Sequence, residues 1–157
     1  MTVLYPNSRT GKTPLKAGTD YTVKYSSGRT NVGTYKVLVT LKGNFQGSKK
    51  VAFKIVRASQ PMTVSVKAKS VKLSAVTKEA QLVSGAITVQ KAKGAVTYQK
   101  VEKGSSPALI VGKLSGKIKV RKGTKKGTYL VRVKVTSAGT RNYKAASKIV
   151  TVKIVVK

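Results

Sequence analysis

The sequence predicts an all-β protein built of antiparallel sandwiches, and three observations support this fold class. Short segments alternate apolar and polar residues with a period of two, which is the pattern of half-buried strands. Val, Ile, Thr and Tyr, which are favoured in strands, are abundant. Glycine-rich turns separate the segments at intervals typical of a sandwich rather than of a doubly wound sheet.

The alternating segments follow one another along the whole chain. Outside the most basic region they are 20–25, 34–41, 50–56, 63–73, 86–92, 95–101 and 148–156. Turn residues such as glycine, serine and asparagine lie between them. We predict these segments to be strands and helix to be negligible.

The most basic region, residues 117–135, is also predicted to be folded. Eight of its nineteen residues are Lys or Arg, and none is acidic. Ile118 and Val120 alternate with cations, and after the turn "KGTKKGT" the same alternation continues with Tyr129, Val131, Val133 and Val135. The region is therefore two strands and a connection, apolar on one face and cationic on the other, and not a disordered tail.

The phase of the alternation predicts two cores. The first is expected to contain Tyr35, Val37, Val39, Phe53 and Ile55. The second is expected to contain Tyr129, Val131, Val133, Val135, Val150, Val152 and Ile154. Lysine is expected at nearly every outward strand position, since side chains on a strand point to alternate faces.

An internal repeat divides the chain. Residues 33–55 align with residues 127–154, and both run from Gly-Thr-Tyr through a glycine turn and an Asn-aromatic pair to a basic strand ending in Lys-Ile. Such a repeat indicates two domains built on one plan. Pro61 interrupts the pattern between them, which predicts two tandem sandwich domains at 1–58 and 62–157.

The chain carries an extreme positive charge. Its 33 Lys and Arg face only three acids, Asp20, Glu79 and Glu102, for a formal net charge of +30. Hydrophobic residues make up 40% of the chain, which is too many for a disordered polycation. The charge predicts attraction to anionic polymers at low salt, mostly through lysine, because only six of the cations are arginines.

The composition argues against catalysis and metal binding. The absence of Cys and His removes disulfides and the usual zinc and iron ligands. Three scattered acids make neither the carboxylate pair of a glycosidase nor a calcium site. The segment "PNSRTGKT" has Pro6 where a P-loop needs glycine, and no helix pattern follows it. We therefore predict no enzyme activity, no cofactor and no metal.

The candidate binding residues are the cations of the most basic region. They are Lys117, Lys119, Arg121, Lys122, Lys125, Lys126, Arg132 and Lys134. The expected partners are anionic polymers, namely cell-wall polymers, glycans and nucleic acid, bound by charge. No apolar run reaches the roughly 18 residues of a membrane span, no signal peptide is recognisable in this segment, and a monomer is expected.

Several motifs carry a resemblance to a known family. They are "GTDYTV" at 18–23, "NVG" at 31–33, "GNFQG" at 43–47 and "FKI" at 53–55. These motifs resemble those of the immunoglobulin-like repeats of secreted and cell-surface proteins of Gram-positive anaerobic bacteria, and residues 115–157 resemble a related basic repeat. Strands that the family usually has before "GKTPLKAGTDY" are not recognisable here, so the resemblance implies that the first domain begins inside a repeat.

The resemblance implies immunoglobulin-like sandwiches at the cell surface or outside the cell, acting as stalks, spacers or adhesive modules. It also raises an alternative for Asp20, because some surface domains of this kind form a Lys–Asn isopeptide bond promoted by a buried carboxylate. The other interpretation of Asp20 is hydrogen bonding in a turn.

Three functional hypotheses follow. The first is a non-catalytic structural or adhesive module of a bacterial surface protein, whose polycationic surface binds polyanions non-specifically. The second is a natural or engineered supercharged binder of nucleic acid or heparin-like polyanions. The third is a carbohydrate-binding accessory module of an enzyme, which requires an exposed row of aromatic residues that the sequence does not reveal.

Overall fold

The computed structural model of the chain describes residues 2–7 and 11–157, with side chains for all of these except 5–7 and 11–13. The chain divides into two compact units, residues 1–57 and residues 58–157, called unit 1 and unit 2 below.

Unit 1 consists of a two-stranded and a three-stranded antiparallel sheet. Its strands are β1 (Leu4–Asn7), β2 (Gly11–Pro14), β3 (Tyr21–Tyr25), β4 (Gly33–Leu41) and β5 (Ser48–Ile55). Strands β1 and β2 pair with each other, and the larger sheet has the order β3-β4-β5. The longest strand of unit 1, β4, is thus the central strand of its sheet.

The core of unit 1 is small. Its buried residues include Leu15, Tyr21 and Val39, and Val37 is also buried. Tyr35 and Phe53 are only half-buried, and their rings pack against each other at 5.9 Å between centroids. The predicted core positions of β4 and β5 are therefore most enclosed at the middle of β4 and become more exposed toward β5.

Unit 2 contains nine strands and one short helix. They are β6 (Thr63–Val66), β7 (Lys69–Val71), α1 (Leu73–Lys78), β8 (Gln81–Val83), β9 (Ile87–Gln90), β10 (Val96–Val101), β11 (Leu109–Val111), β12 (Ile118–Val120), β13 (Gly127–Ser137) and β14 (Ala146–Val156). They form a four-stranded sheet β10-β13-β14-β7, a three-stranded sheet β11-β12-β8 and the pair β6-β9. All these pairings are antiparallel except β14 with β7.

The core of unit 2 lies between the four-stranded and the three-stranded sheets. On the first sheet the fully buried apolar side chains include those of Val131, Val133, Val135, Val152 and Ile154. Leu109, Ile118 and Val120 of the second sheet join the same cluster. Tyr129 and Val150, at the ends of the buried row, are half-buried and pack against it. The predicted all-β fold with sandwiched antiparallel sheets is confirmed.

The sequence repeat corresponds to the same hairpin in both units. Strand β4 pairs with β5 so that Tyr35 lies opposite Phe53, and β13 pairs with β14 so that Tyr129 lies opposite Ile154. The Tyr35 hydroxyl donates to the carbonyl of Asn31, and the Tyr129 hydroxyl donates to the carbonyl four residues before it, that of Lys125, at 2.8 and 2.9 Å. The repeated Gly-Thr-Tyr therefore anchors each hairpin to the turn that precedes it.

The single strand predicted at 63–73 is wrong. The structure divides it between β6, which pairs with β9, and β7, which pairs in parallel with β14. Helix α1 begins at Leu73, the last residue of the predicted strand. Leu73 and Val76 are three residues apart and so lie on one face of the helix, and Val76 is fully buried. Only two apolar positions specify this helix, and its N-cap, Lys72, makes no side-chain capping bond, so no helix signal was evident.

Replacing Val133 with alanine is expected to lower the free energy of unfolding of unit 2 by about 1–3 kcal/mol. Its side chain is fully buried, so truncation leaves a cavity in the packed core. The control is Lys119→Ala on the outer face of β12, where the side chain is exposed and a change of at most about 0.5 kcal/mol is expected. Denaturant unfolding followed by circular dichroism measures both, and equal losses would contradict this placement of Val133.

Candidate polyanion-binding surface

The eight predicted binding residues lie in three places in unit 2. Lys119 lies on β12 and Lys117 directly precedes this strand, whereas Arg132 and Lys134 lie on β13. Both strands turn their apolar side chains into the shared core. The cations that alternate with these apolar residues therefore point away from the core, on opposite outer surfaces of the sandwich. The remaining four, Arg121, Lys122, Lys125 and Lys126, share the turn between β12 and β13. The structure therefore brings together half of the predicted set.

The turn at 121–126 is held by its own backbone and by α1. The Thr124 hydroxyl donates to the Arg121 carbonyl at 2.6 Å, and Thr124 is only 8% exposed. The Gly123 amide donates to the carbonyl of Val76 in α1 at 2.9 Å. All four cations of the turn are exposed. The turn thus presents its charges on a backbone that is fixed at several points.

Arg132 differs from the other candidates because its side chain is already engaged. Its guanidinium donates through Nη1 to the carbonyl of Lys103 at 3.0 Å, and its backbone amide donates to the Ser105 hydroxyl at 2.8 Å. The residue is half-buried, whereas Lys134 two positions later is exposed. Arg132 therefore serves the β10–β11 connection, and fewer of its donors are left for a polymer than an exposed arginine has.

The expectation of lysine at nearly every outward strand position is wrong for the four-stranded sheet. The outward residues of β13 are Thr128, Leu130, Arg132, Lys134 and Thr136, and those of β14 include Ile149, Thr151 and Lys153. Leu130 and Ile149 are 46% and 54% exposed. Threonine and aliphatic residues thus occupy much of the outer face of the four-stranded sheet. Most cations of unit 2 lie instead in turns and at strand ends.

The acids leave almost all of this charge unneutralised. Among the residues whose side chains the structure describes, one ion pair forms, between Lys100 and Glu102 at 2.9 Å. The Asp20 carboxylate accepts the backbone amide of Lys16 at 2.8 Å and is partly exposed, as the turn interpretation predicts. It is not the enclosed carboxylate that an isopeptide bond requires. Glu79 follows α1 and is exposed.

Two aromatic rings are covered by cations, and sequence reasoning did not identify either pair. The Arg29 guanidinium lies 4.5 Å from the ring centre of Tyr25, and the Lys93 ammonium lies 5.6 Å from that of Tyr143. Tyr25 and Arg29 are close in sequence, a weak signal at best, whereas Lys93 and Tyr143 meet only through the fold. One face of each ring is therefore already occupied by a cation and is not available for stacking.

An apolar groove of about 640 Å³ lies in unit 1. Val3, Leu4, Val39, Leu41 and Val51 are among its lining residues, together with Ser48 and Lys49. Ser48 and Lys49 are consecutive on β5, so their side chains point to opposite faces of the strand and do not form a nucleophile–base pair. These two consecutive residues therefore do not act together as a catalytic pair in the groove.

The described residues include no cluster of three His, Cys, Asp or Glu side chains able to hold a metal ion. The described residues also contain no helix that is long and apolar enough to cross a membrane.

Comparison with known proteins gives structural neighbours only. No protein-family model and no curated protein sequence matches the chain. Among solved structures it is similar to the protocadherin gamma B7 EC3–6 cis-dimer structure (13% identity, 100% of this chain, 40% of that chain, TM-score 0.47) and the protocadherin gamma B4 extracellular domain (13%, 87%, 27%, 0.48). It is also similar to Drosophila N-cadherin EC1–4 (15%, 88%, 41%, 0.44). The chain spans less than half the length of each of these chains.

Proposed function

We propose that this chain is a non-catalytic structural module whose cationic surface binds the anionic polymers of a cell surface, in the manner of an adhesive spacer. The observation that supports this most directly is the charge imbalance. Thirty-three Lys and Arg stand against three acids, and one of those acids forms the ion pair with Lys100. The lysines of the 121–126 turn are held on a fixed backbone and exposed.

Counterion release is the driving force of the proposed binding. A polymer of closely spaced anions carries condensed counterions, and a protein cation that neutralises an anion releases them. This attraction needs exposed positive charge and no specific pocket, so it is largely independent of the polymer's sequence. The folded scaffold fixes the backbone positions of the cations before the polymer arrives, so the backbone loses little conformational freedom on binding.

The surface location and the domain organisation are parts of the same proposal. The resemblance of "GTDYTV", "GNFQG" and "FKI" to bacterial surface repeats supports a place at the cell surface. The proposed domains are 1–58 and 62–157, and the chain is proposed to be a monomer. Binding of nucleic acid as the biological purpose is the alternative, and the preference for one polymer over another distinguishes the two.

Replacing Lys122, Lys125 and Lys126 with glutamine is expected to flatten the salt dependence of polymer binding. Each lost phosphate contact makes the slope of log K against log salt less negative by about 0.7 to 0.9. The matched control replaces three dispersed exposed lysines, Lys24, Lys54 and Lys153, and removes the same charge. Fluorescence anisotropy with labelled polymer across a salt series measures both variants.

The turn variant should lose more slope than the dispersed variant, because neighbouring charges contact one polymer segment together. Failure of the unmodified chain to bind any anionic polymer at low salt would refute the proposed function. A hydrolase, nuclease or kinase activity that stays with the chain through repeated purification would refute its non-catalytic character.

A further inference from the structure

One end of the four-stranded sheet of unit 2 finishes in a row of three lysines. Val71 of β7, Val156 of β14 and Gly127 of β13 are register partners across the three strands. The residues just beyond this row are Lys72, Lys157 and Lys126, called the lysine row below. Neighbouring strands lie about 4.8 Å apart, so the three backbone positions span about 10 Å. All three lysines are exposed.

Backbone hydrogen bonds bring further cations to the same end. The Leu73 amide donates to the main-chain oxygen of Lys157 at 2.7 Å, which fixes the start of α1 against the end of β14. The bond from Gly123 to Val76 at 2.9 Å places the 121–126 turn against the same helix. Lys122 and Lys125, which share the turn with Lys126, are therefore also brought toward Lys72 and Lys157, from which the sequence separates them widely.

The opposite end of the same sheet has no such row. There Val96, Ser137 and Ala146 are the last register partners, and the residues just beyond them are Ala95, Ala138 and Ala145. The Ala138 amide donates to the Ala95 carbonyl at 2.9 Å, which continues the pairing of the two strands. At this end the nearest cations, Lys93 and Lys144, lie one or two residues further from the paired strands, and Gln60 bonds to the carbonyls of both. A row of cations directly beyond the last register partners is thus found at one end of the sheet only.

We infer that the lysine row and the adjoining 121–126 turn form the principal polymer-binding surface, and that its ligand is a linear polyol-phosphate chain without bases. This inference rests on the proposed function and deepens it. The cations of this surface are compact lysine ammonium groups apart from Arg121, and their backbone positions are fixed, so the linear density of phosphate determines binding. Lys72 and Lys157, which lie outside the most basic region, are assigned to this surface by the register alone.

The chemistry at this end gives no means of reading or stacking bases. The nearest aromatic residue, Tyr129, packs against the core and its hydroxyl donates to the Lys125 carbonyl. Helix α1 has six residues, too few to act as a recognition helix in a major groove. Single-stranded nucleic-acid sites gain affinity by stacking bases on exposed aromatic rings, and this surface has none among its described residues.

The test compares two triple variants of the full chain that remove equal charge. Lys72→Gln, Lys126→Gln and Lys157→Gln together remove the row, and Lys113→Gln, Lys144→Gln and Lys148→Gln together serve as the control near the other end of the sheet. The probes are labelled poly(glycerol phosphate) and oligothymidylate with the same number of phosphates. Circular dichroism and thermal unfolding first confirm that both variants keep the fold.

We expect the row variant to lower the salt slope by about 2, at about 0.7 for each of three contacts, and the control to lower it by less than about 1. Titration of the unmodified chain with the probe, followed by amide chemical shifts, should move Lys72 and Lys126 more than Lys144 and Lys148. This second measurement needs no variant and so does not depend on how the substitutions fold.

The outcomes separate this inference from the proposed function. Equal effects of both triples, or shift changes spread evenly over unit 2, overturn the lysine row but leave a general cationic surface intact. Absence of binding by the unmodified chain at low salt overturns the proposed function itself. Oligothymidylate bound at least about tenfold tighter than poly(glycerol phosphate) overturns the base-free ligand, because stacking of bases then contributes.

Discussion

Raising the salt concentration from about 50 to about 200 mM is expected to weaken binding of an anionic polymer by this chain about 10³-fold, if six phosphates are contacted. Each neutralised phosphate of duplex DNA contributes about −0.9 to the slope of log K against log salt, so six contacts give a slope near −5. The exposed cations of the 121–126 turn and the lysine row are sufficient in number for six contacts. The physical cause is counterion release, which loses its driving force as bulk salt rises.

Two random-sequence DNA duplexes of equal length provide the control for this prediction. Their affinities should agree within about threefold, which is less than one mismatched base pair costs in a specific site. The structure supports this expectation because no long helix and no cluster of arginines is placed to read base edges in unit 2. Tight binding that persists at 200 mM salt, or a strong preference for one duplex, would contradict binding by charge alone.

The parts of the fold that could be predicted from sequence are those specified by local alternation. The long strands β13 and β14 repeat an apolar residue at every second position, and their inner valines are fully buried as expected. The hairpin repeat was equally accessible, because Gly-Thr-Tyr recurs with its turn and its partner strand. In these segments the pattern along the chain and the packing in the core impose the same period.

The lysine row could not be predicted, because it depends on which strands become neighbours. Lys72 and Lys157 meet through the parallel pairing of β7 with β14, and nothing in either segment specifies that register. Conversely, the eight cations of residues 117–135 are close together in sequence, but the sandwich distributes them over two outer faces and a turn. Proximity in sequence thus predicted a single cluster at 117–135 that the fold divides, and it gave no sign of the lysine row, which the fold assembles.

Replacing Gly94 with alanine is expected to destabilise unit 2 by about 3 kcal/mol or more. Two costs combine at this position: a non-glycine residue at φ +103°, worth about 1–3 kcal/mol, and overpacking, worth a similar amount. A Cβ on Gly94 would overlap the carbonyl oxygen of Gly139 and lie 2.8 Å from the carbon of that carbonyl. Both obstacles are backbone atoms, so no flexible side chain can move aside.

Neighbouring hydrogen bonds prevent the two segments from separating to relieve the overlap. The Lys93 carbonyl accepts from the Gln60 amide nitrogen at 2.9 Å and from the hydroxyl of fully buried Ser137 at 3.0 Å. The Lys93 amide donates to Gln60 Oε1 at 2.8 Å, and the Ala138 amide donates to Ala95 at 2.9 Å. Any outward shift at Gly94 therefore strains or breaks bonds on both sides of it.

Gly123→Ala is the matched control, because it isolates the cost of the backbone conformation. Gly123 has φ +76°, and a Cβ there would meet no atom within 4 Å, so the expected loss is only about 1–2 kcal/mol. Denaturant unfolding of both variants measures the difference, which reports the clash with Gly139. If the two variants are equally stable, the close approach of the segments at Gly94 and Gly139 is wrong, and with it the anchoring of this end of the sheet by Gln60.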